Sequence, residues 1–289
     1  MDTRPNTLIG LLDLEEIERN IFRGQNEPAP RERLFGGQVA AQALVAAGRT
    51  VEGRAAHSLH AYFLRPGDPS IPVLYTVDRI RDGQSFTTRR VVAVQRGQAI
   101  FNIAVSFQVA EVGYEHQQIQ MPDAPAPESL PTWQERVSAL PPEAFPWTRT
   151  DRPIDIRHVH APTFLGGEPR SGGNLAWLRA TGKLPDDPFF HRCVLTYASD
   201  MSLLDTAILP HGRSGSLGPV MMASLDHTLW FHRDVRVDEW LLYVQESPIA
   251  GGARGFTRGT LFTRDGHLVA SAAQEGLMRP TGRPEDRSL

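Results

Sequence analysis

Three polar residues are singled out by what stands in their place elsewhere in the same chain. The sequence repeats itself, and in the repeat Asp200 falls on Gly37, Ser224 on His57 and Gln274 on Val105. A carboxylate, a hydroxyl and a carboxamide therefore occur in the second copy and are absent from the first. A carboxylate accepts protons and the other two groups orient polar partners, so a duplicated scaffold altered at these places reads as one specialised into a site. Asp226-His227 has the make-up of an acid–base dyad. On one continuous strand, however, the two-residue period sets Ser224, Asp226, Thr228 and Trp230 on one face and Leu225, His227, Leu229 and Phe231 on the other, which favours a structural role. The pairs His57/His60 and His158/His160 have no convergent third ligand, so no metal centre is expected.

The elements that must hold these residues come in two sets. His57-Ser-Leu-His-Ala-Tyr-Phe-Leu-Arg-Pro66 reads against Ser224-Leu-Asp-His-Thr-Leu-Trp-Phe-His-Arg233, Phe86-Thr87 against Phe256-Thr257, and Gly97 against Gly266, at offsets of 167, 170 and 169. In the first copy Gln38 to Ala47 is a run of strong helix formers closed by Gly48 as a C′ glycine, followed by strands over 56–64, 71–80, 85–95 and 99–109. In the second, strands are expected over 154–157 and 175–180. Asp187-Pro188 then starts a helix running to about Leu209, where Pro210 stops it, and Asp200 lies at the edge of that helix's apolar stripe. Strands follow over 220–231, 240–246, 255–264 and 267–275. A helix with an antiparallel sheet, given twice, is satisfied when each sheet curls around its helix and the two sheets join edge to edge, which also covers exposed strand edges.

Composition sets the frame. The 289 residues suffice for two domains, here 1–112 and 150–289, joined by a linker over 113–149 in a region where ten of the 23 prolines lie between Pro122 and Pro169. A short helix over Trp133 to Leu140 fits inside that linker. The net charge of −3, with arginines scattered rather than clustered, argues against a nucleic-acid partner. The apolar stretch Leu8 to Leu12 is too short for a signal peptide or a membrane span, and the single cysteine, Cys193, fits a reducing compartment. A cytoplasmic protein without membrane insertion is expected.

The chain resembles the acyl-CoA thioesterase II family along nearly its whole length. The resemblance is carried by Leu14-Glu-Glu-Ile-Glu18, Phe22-Arg-Gly24, Phe35-Gly-Gly-Gln38, His57-Ser58 through Phe63-Leu-Arg-Pro-Gly-Asp68, Arg81-Asp-Gly83, Ser85-Phe86, Tyr197-Ala-Ser-Asp200, Leu225-Asp-His227, Trp230-Phe-His232, Glu239-Trp-Leu-Leu-Tyr243 and Gln274-Glu-Gly276. Their order and spacing together are specific, where any one would be weak. The resemblance implies an α+β double hotdog, two tandem units each with an antiparallel sheet wrapped around a helix, and this agrees with the repeat. It also implies hydrolysis of fatty acyl-CoA to free acid and CoA, with no metal or organic cofactor, by a protein that associates at least as a dimer.

Carried over to this chain, the family's water-activating set corresponds to Asp200, Ser224 and Gln274. A thioester carbonyl is electrophilic enough for direct attack by water, so Asp200 would draw off the proton while Ser224 and Gln274 aim the oxygen. Backbone N–H groups near Gly36-Gly37 would stabilise the oxyanion, and His57 is a candidate to line the acyl or pantetheine channel. Two other readings fit such a fold. An enoyl-CoA hydratase-type lyase would need a carboxylate and a histidine converging on the acyl Cα–Cβ bond, with Asp226-His227 the local candidate. A non-catalytic acyl-CoA binding protein would keep the pocket and lack the water-activating set.

Overall fold

In the computed structural model residues 7–26, 33–138, 152–165, 167–212 and 219–281 are described. The first unit opens with α1 (Thr7–Leu12) and the short strands β1 (Glu15–Glu18) and β2 (Ile21–Gly24). Then come α2 (Gly36–Gly48) and β3 (Ala55–Phe63), β4 (Val73–Asp82), β5 (Phe86–Gln95) and β6 (Gln98–Gln108). After α3 (Trp133–Ser138), the second unit has β7 (Ile154–His158), β8 (Asn174–Ala180), α4 (Pro188–Ser199) and α5 (Asp205–Ile208). It closes with β9 (Val220–Ser224), β10 (Asp226–Phe231), β11 (Leu241–Gly251), β12 (Arg254–Thr263) and β13 (Leu268–Pro280). No helix among the described residues is long and apolar enough to cross a membrane.

One sheet runs through the molecule in the order β1-β2-β4-β5-β6-β3-β10-β13-β12-β11-β8-β7. The two halves of that order mirror each other about the β3–β10 seam, where His60 stands opposite Thr228. Gly97 (φ +73°) and Gly266 (φ +89°) take the left-handed turn positions of the equivalent hairpins, which suits glycine because it has no Cβ to clash. Counting along the strands from these turns puts Val105 on Gln274, as the repeat predicts. It puts Ala56, however, and not His57, on Ser224. Ala56 pairs with Phe107 and Ser58 with Ser106, so His57 is an extra, bulged residue; Ser224 pairs with Gly276 and Thr228 with Ala273, so an extra residue sits at the equivalent place. The strand expected over 220–231 is therefore two strands broken at a bulge.

The helices depart from expectation in an instructive way. The alanines of α2 leave it slim enough to be buried from Gly37 to Ala47 inside the sheet. Gly48 is not a C′ residue: it is the last residue of the helix, and a Cβ there would run into the ring of Phe189 on α4. The helix expected from Asp187 to Leu209 is two helices. Asp187 caps its start by accepting from the Phe189 N–H at 2.9 Å, but Ser202 adopts φ +62° and breaks it. The break is required because α4 packs along α2 whereas α5 packs on β11 and β12, as α2 packs on β4 and β5.

The main core lies between the curled sheet and the helices and is continuous across the seam. The linker covers the outer face of the second half-sheet: Leu130 packs with Trp177, Trp240 and Leu242, Trp177 Nε1 donates to the Pro125 carbonyl at 2.9 Å, and Trp133 packs with Ile156. Residues 139–151, with Pro141, Pro142 and Pro146 and the end of the helix expected from Trp133 to Leu140, lie outside the described residues.

Candidate active site

Asp200 caps the C-terminus of α4 and turns its carboxylate into the junction of the two units, leaving 4% of the side chain exposed. Three elements meet it there. From β13, Gln274 Nε2 donates to Oδ1 at 2.6 Å; from the start of α2, the Gly37 N–H donates to the carboxylate; from β10, His227 Nδ1 stands 4.0 Å from Oδ1. The glycine pair permits this approach. A Cβ on Gly36 would lie 2.8 Å from Asp200 Oδ2 and 2.6 Å from the Phe63 ring, and one on Gly37 would collide with the Tyr197 carbonyl oxygen. A helix N-terminus, with its unsatisfied N–H groups, thus faces an acid across the seam. Tyr243 on β11 donates its hydroxyl to the Ser199 carbonyl at 2.8 Å, which holds the turn that carries Asp200.

Burial is the main force on the Asp200 carboxyl and pushes it up to about 7, with the Asp205 charge adding to the rise while Gln274 and the Gly37 N–H oppose it. A carboxyl titrating near neutrality can take a proton and give it back. Burial drives the His227 imidazole down to about 4, so it is neutral and its approach to Asp200 is not an ion pair. Cys193 is buried and its thiol is pushed well above the usual range, which removes it as a nucleophile.

The structure brings Asp200, Gln274, Gly36 and Gly37 together. Ser224, paired with Gly276, shares the inner face with Gln274 two residues along β13, and its side chain is hydrogen-bonded to none of them. His57 is not brought in: it faces the outer side of the sheet, with Nε2 at 2.8 Å from Ser106 Oγ and its ring edge-on to Phe86. Sequence reasoning placed His227 on the wrong face of the sheet. Continuous alternation sends it to the face opposite Ser224, but the bulge restores it to the inner face, one register step from Thr228–Ala273 and hence opposite Gln274. The Asp226-His227 pair is visible in the sequence; the bulge that separates their roles is not. Asp226 points outward beside Tyr62 and accepts the Glu275 N–H at 2.7 Å.

Two hotdog units that share one sheet, with a carboxyl buried against a carboxamide at their seam, define a double-hotdog protein. The family model described as acyl-CoA thioesterase matches residues 147–277, and that described as acyl-CoA thioesterase N-terminal domain matches residues 26–108. The chain is 41% identical to acyl-coenzyme A thioesterase 8 of Mus musculus, over 96% of this chain and 90% of that protein. It is 38% identical to acyl-CoA thioesterase 2 of Haemophilus influenzae, over 95% and 97%. Among solved structures, acyl-CoA thioesterase II TesB2 of Mycobacterium marinum superposes with a TM-score of 0.78 at 44% identity, over 95% of this chain and 99% of that one. The chain belongs to the acyl-CoA thioesterase II family and is a thioester hydrolase.

Proposed function

We propose that the chain hydrolyses fatty acyl-CoA to free acid and CoA by direct attack of a water activated at Asp200. The carboxylate takes a proton from the water as its oxygen attacks the thioester carbonyl. Gln274 has its Nε2 on Asp200 and its Oε1 without a partner among the described residues, so it can hold Asp200 and receive the water's other hydrogen at once. Ser224, on the same face, aims the water from β9. The Gly37 N–H is committed to Asp200, which leaves the Gly36 N–H at the start of α2 as the donor for the developing oxyanion. When the tetrahedral intermediate collapses the C–S bond breaks, and the proton on Asp200 passes to the departing thiolate.

The observation that carries this reading is the buried Asp200 carboxyl, raised to about 7 and touching Gln274 at 2.6 Å. A hydratase would need Asp226 and His227 to converge, and they face opposite sides of the sheet. The experiment is thiol release from saturated acyl-CoAs of short to long chain, by the wild type and by Asp200→Asn. A hydratase cannot act on a saturated chain and a binding protein does not turn over, so release by the wild type alone supports the proposal and release by neither overturns it. We further propose the cytoplasm as the compartment and an assembly of at least two chains.

A further inference from the structure

Behind Asp200 stands a histidine whose tautomer is determined by its neighbours. His227 is fully buried, with Nε2 at 2.8 Å from Ser199 Oγ, and that hydroxyl lies 3.0 Å from the carbonyl oxygen of Thr196. A hydroxyl has one hydrogen and a carbonyl oxygen only accepts, so Ser199 donates to Thr196 and accepts from Nε2–H. The other tautomer would forfeit the Thr196 bond, because Ser199 would then have to turn its one hydrogen toward Nε2. Nδ1 therefore carries a lone pair. It has no hydrogen-bond partner among the described residues and faces Asp200 Oδ1 at 4.0 Å.

A lone pair facing a carboxylate repels it, whereas one facing a carboxylic acid is a hydrogen-bond acceptor. The gap exceeds an ordinary hydrogen bond by about 1 Å, so the carboxyl and the imidazole must approach by that much when the carboxyl is protonated. The other groups that bear on this carboxyl cannot take that part. Gln274 and the Gly37 N–H donate to it, Asp205 on α5 acts through its charge, and Tyr243 on β11 gives its hydroxyl to the Ser199 carbonyl.

We infer, on the reading of Asp200 as the general base, that His227 is a positioning residue for the transferred proton: its Nδ1, kept bare by Ser199, accepts a hydrogen bond from the Asp200 carboxyl during the interval in which that carboxyl holds the proton taken from water. The proton stays on Asp200 throughout and leaves with the thiolate, so His227 remains neutral. Its effect is to stabilise the protonated intermediate state and to raise the strength of the base. Ser199 contributes by holding the tautomer.

Imidazole nitrogen NMR of the folded wild type at neutral pH tests the tautomer directly, with the His227 signals identified by their loss in His227→Phe or their shift in Ser199→Ala. A pyridine-type Nδ1 with a pyrrole-type Nε2 is expected, and the reverse overturns the inference. Carboxyl-carbon NMR then follows the titration of Asp200. In His227→Phe, where a ring of similar size keeps the site dry, the midpoint should fall by about one pH unit, and in Ser199→Ala it should fall by less. An unchanged or raised midpoint in Ser199→Ala, or in His227→Phe if that variant folds, overturns the inference. Because both measurements observe the groups and not turnover, they stand or fall independently of whether Asp200→Asn abolishes hydrolysis.

Discussion

At the scale of residues, the proposed mechanism rests on one carboxyl, Asp200, which burial pushes up to about 7. Replacing Asp200 by Asn keeps the shape and the Gln274 contact but removes proton acceptance, so kcat should fall by about 10²–10⁴-fold with KM little changed. Steady-state kinetics on a saturated acyl-CoA reads this, and near-wild-type turnover would remove Asp200 from the mechanism. With the carboxyl at about 7, the wild-type kcat/KM should rise with pH through that value and level off above it. The same burial has a cost in stability. The folded state holds the Asp200 proton up to about pH 7 while the unfolded chain releases it near the ordinary carboxylate value, so stability declines as pH rises between about 4 and 7. The span of roughly three units corresponds to at most about 4 kcal/mol. Asp200→Asn should therefore melt higher than wild type at pH 8, with the difference fading toward pH 4. A variant that is inert and more stable would mark the carboxylate as retained for function.

At the scale of elements, the site depends on two helix ends and a strand irregularity. The start of α2 approaches the end of α4 only because Gly36 and Gly37 lack a Cβ, and the two glycines should respond differently to Ala. At Gly36 the added methyl meets the Phe63 ring and the Asp200 carboxylate, which are side chains able to rotate, so kcat should drop while the fold is kept. At Gly37 it meets the backbone oxygen of Tyr197, which cannot yield without parting the helices, so a loss of about 1–3 kcal/mol is expected. Thermal melts set beside kcat for the two variants check this, and equal effects on both quantities would deny the distinction. The β9–β10 bulge lets Ser224 and His227, three residues apart, face the same side.

At the scale of the whole molecule, the continuous sheet and the continuous core make the two units one cooperative body. Leu59 and Leu229, paired across the seam and fully buried, are its centre. Leu229→Ala should cost about 2–5 kcal/mol and lower one shared transition rather than the melting of one unit; two separate calorimetric transitions in the wild type would contradict this. Acid should act on both sides of the molecule as well. His227 and His158 are held neutral by burial, at about 4 and about 3, so the folded state binds fewer protons than the unfolded chain below about pH 6.5, and stability is lost as pH falls through that window. His158→Phe, beside Trp133, should blunt the loss between pH 6 and 4 in a melting series.

The duplication, the hairpin glycines Gly97 and Gly266, the strand alternation within each hairpin, the cap at Asp187 and the grouping of Asp200 with Gln274 were all legible in the sequence. Each depends on local chemistry: turn conformation, periodicity, or the comparison of one copy with the other. What the sequence could not show was set by contacts between distant segments. The helix after Asp187 has the propensity to continue past Asp200, and it breaks because α4 must lie along α2 while α5 must lie on β11 and β12. His57 faces outward and His227 inward because each copy carries one extra residue, His57 itself in the first and one between Ser224 and Thr228 in the second, fixed by pairing with another strand. Ser224 was selected by its type, whereas the partnership of Asp200 with Gln274, Gly37 and His227 exists only because folding brings a helix end, a helix start and two strands to the same seam.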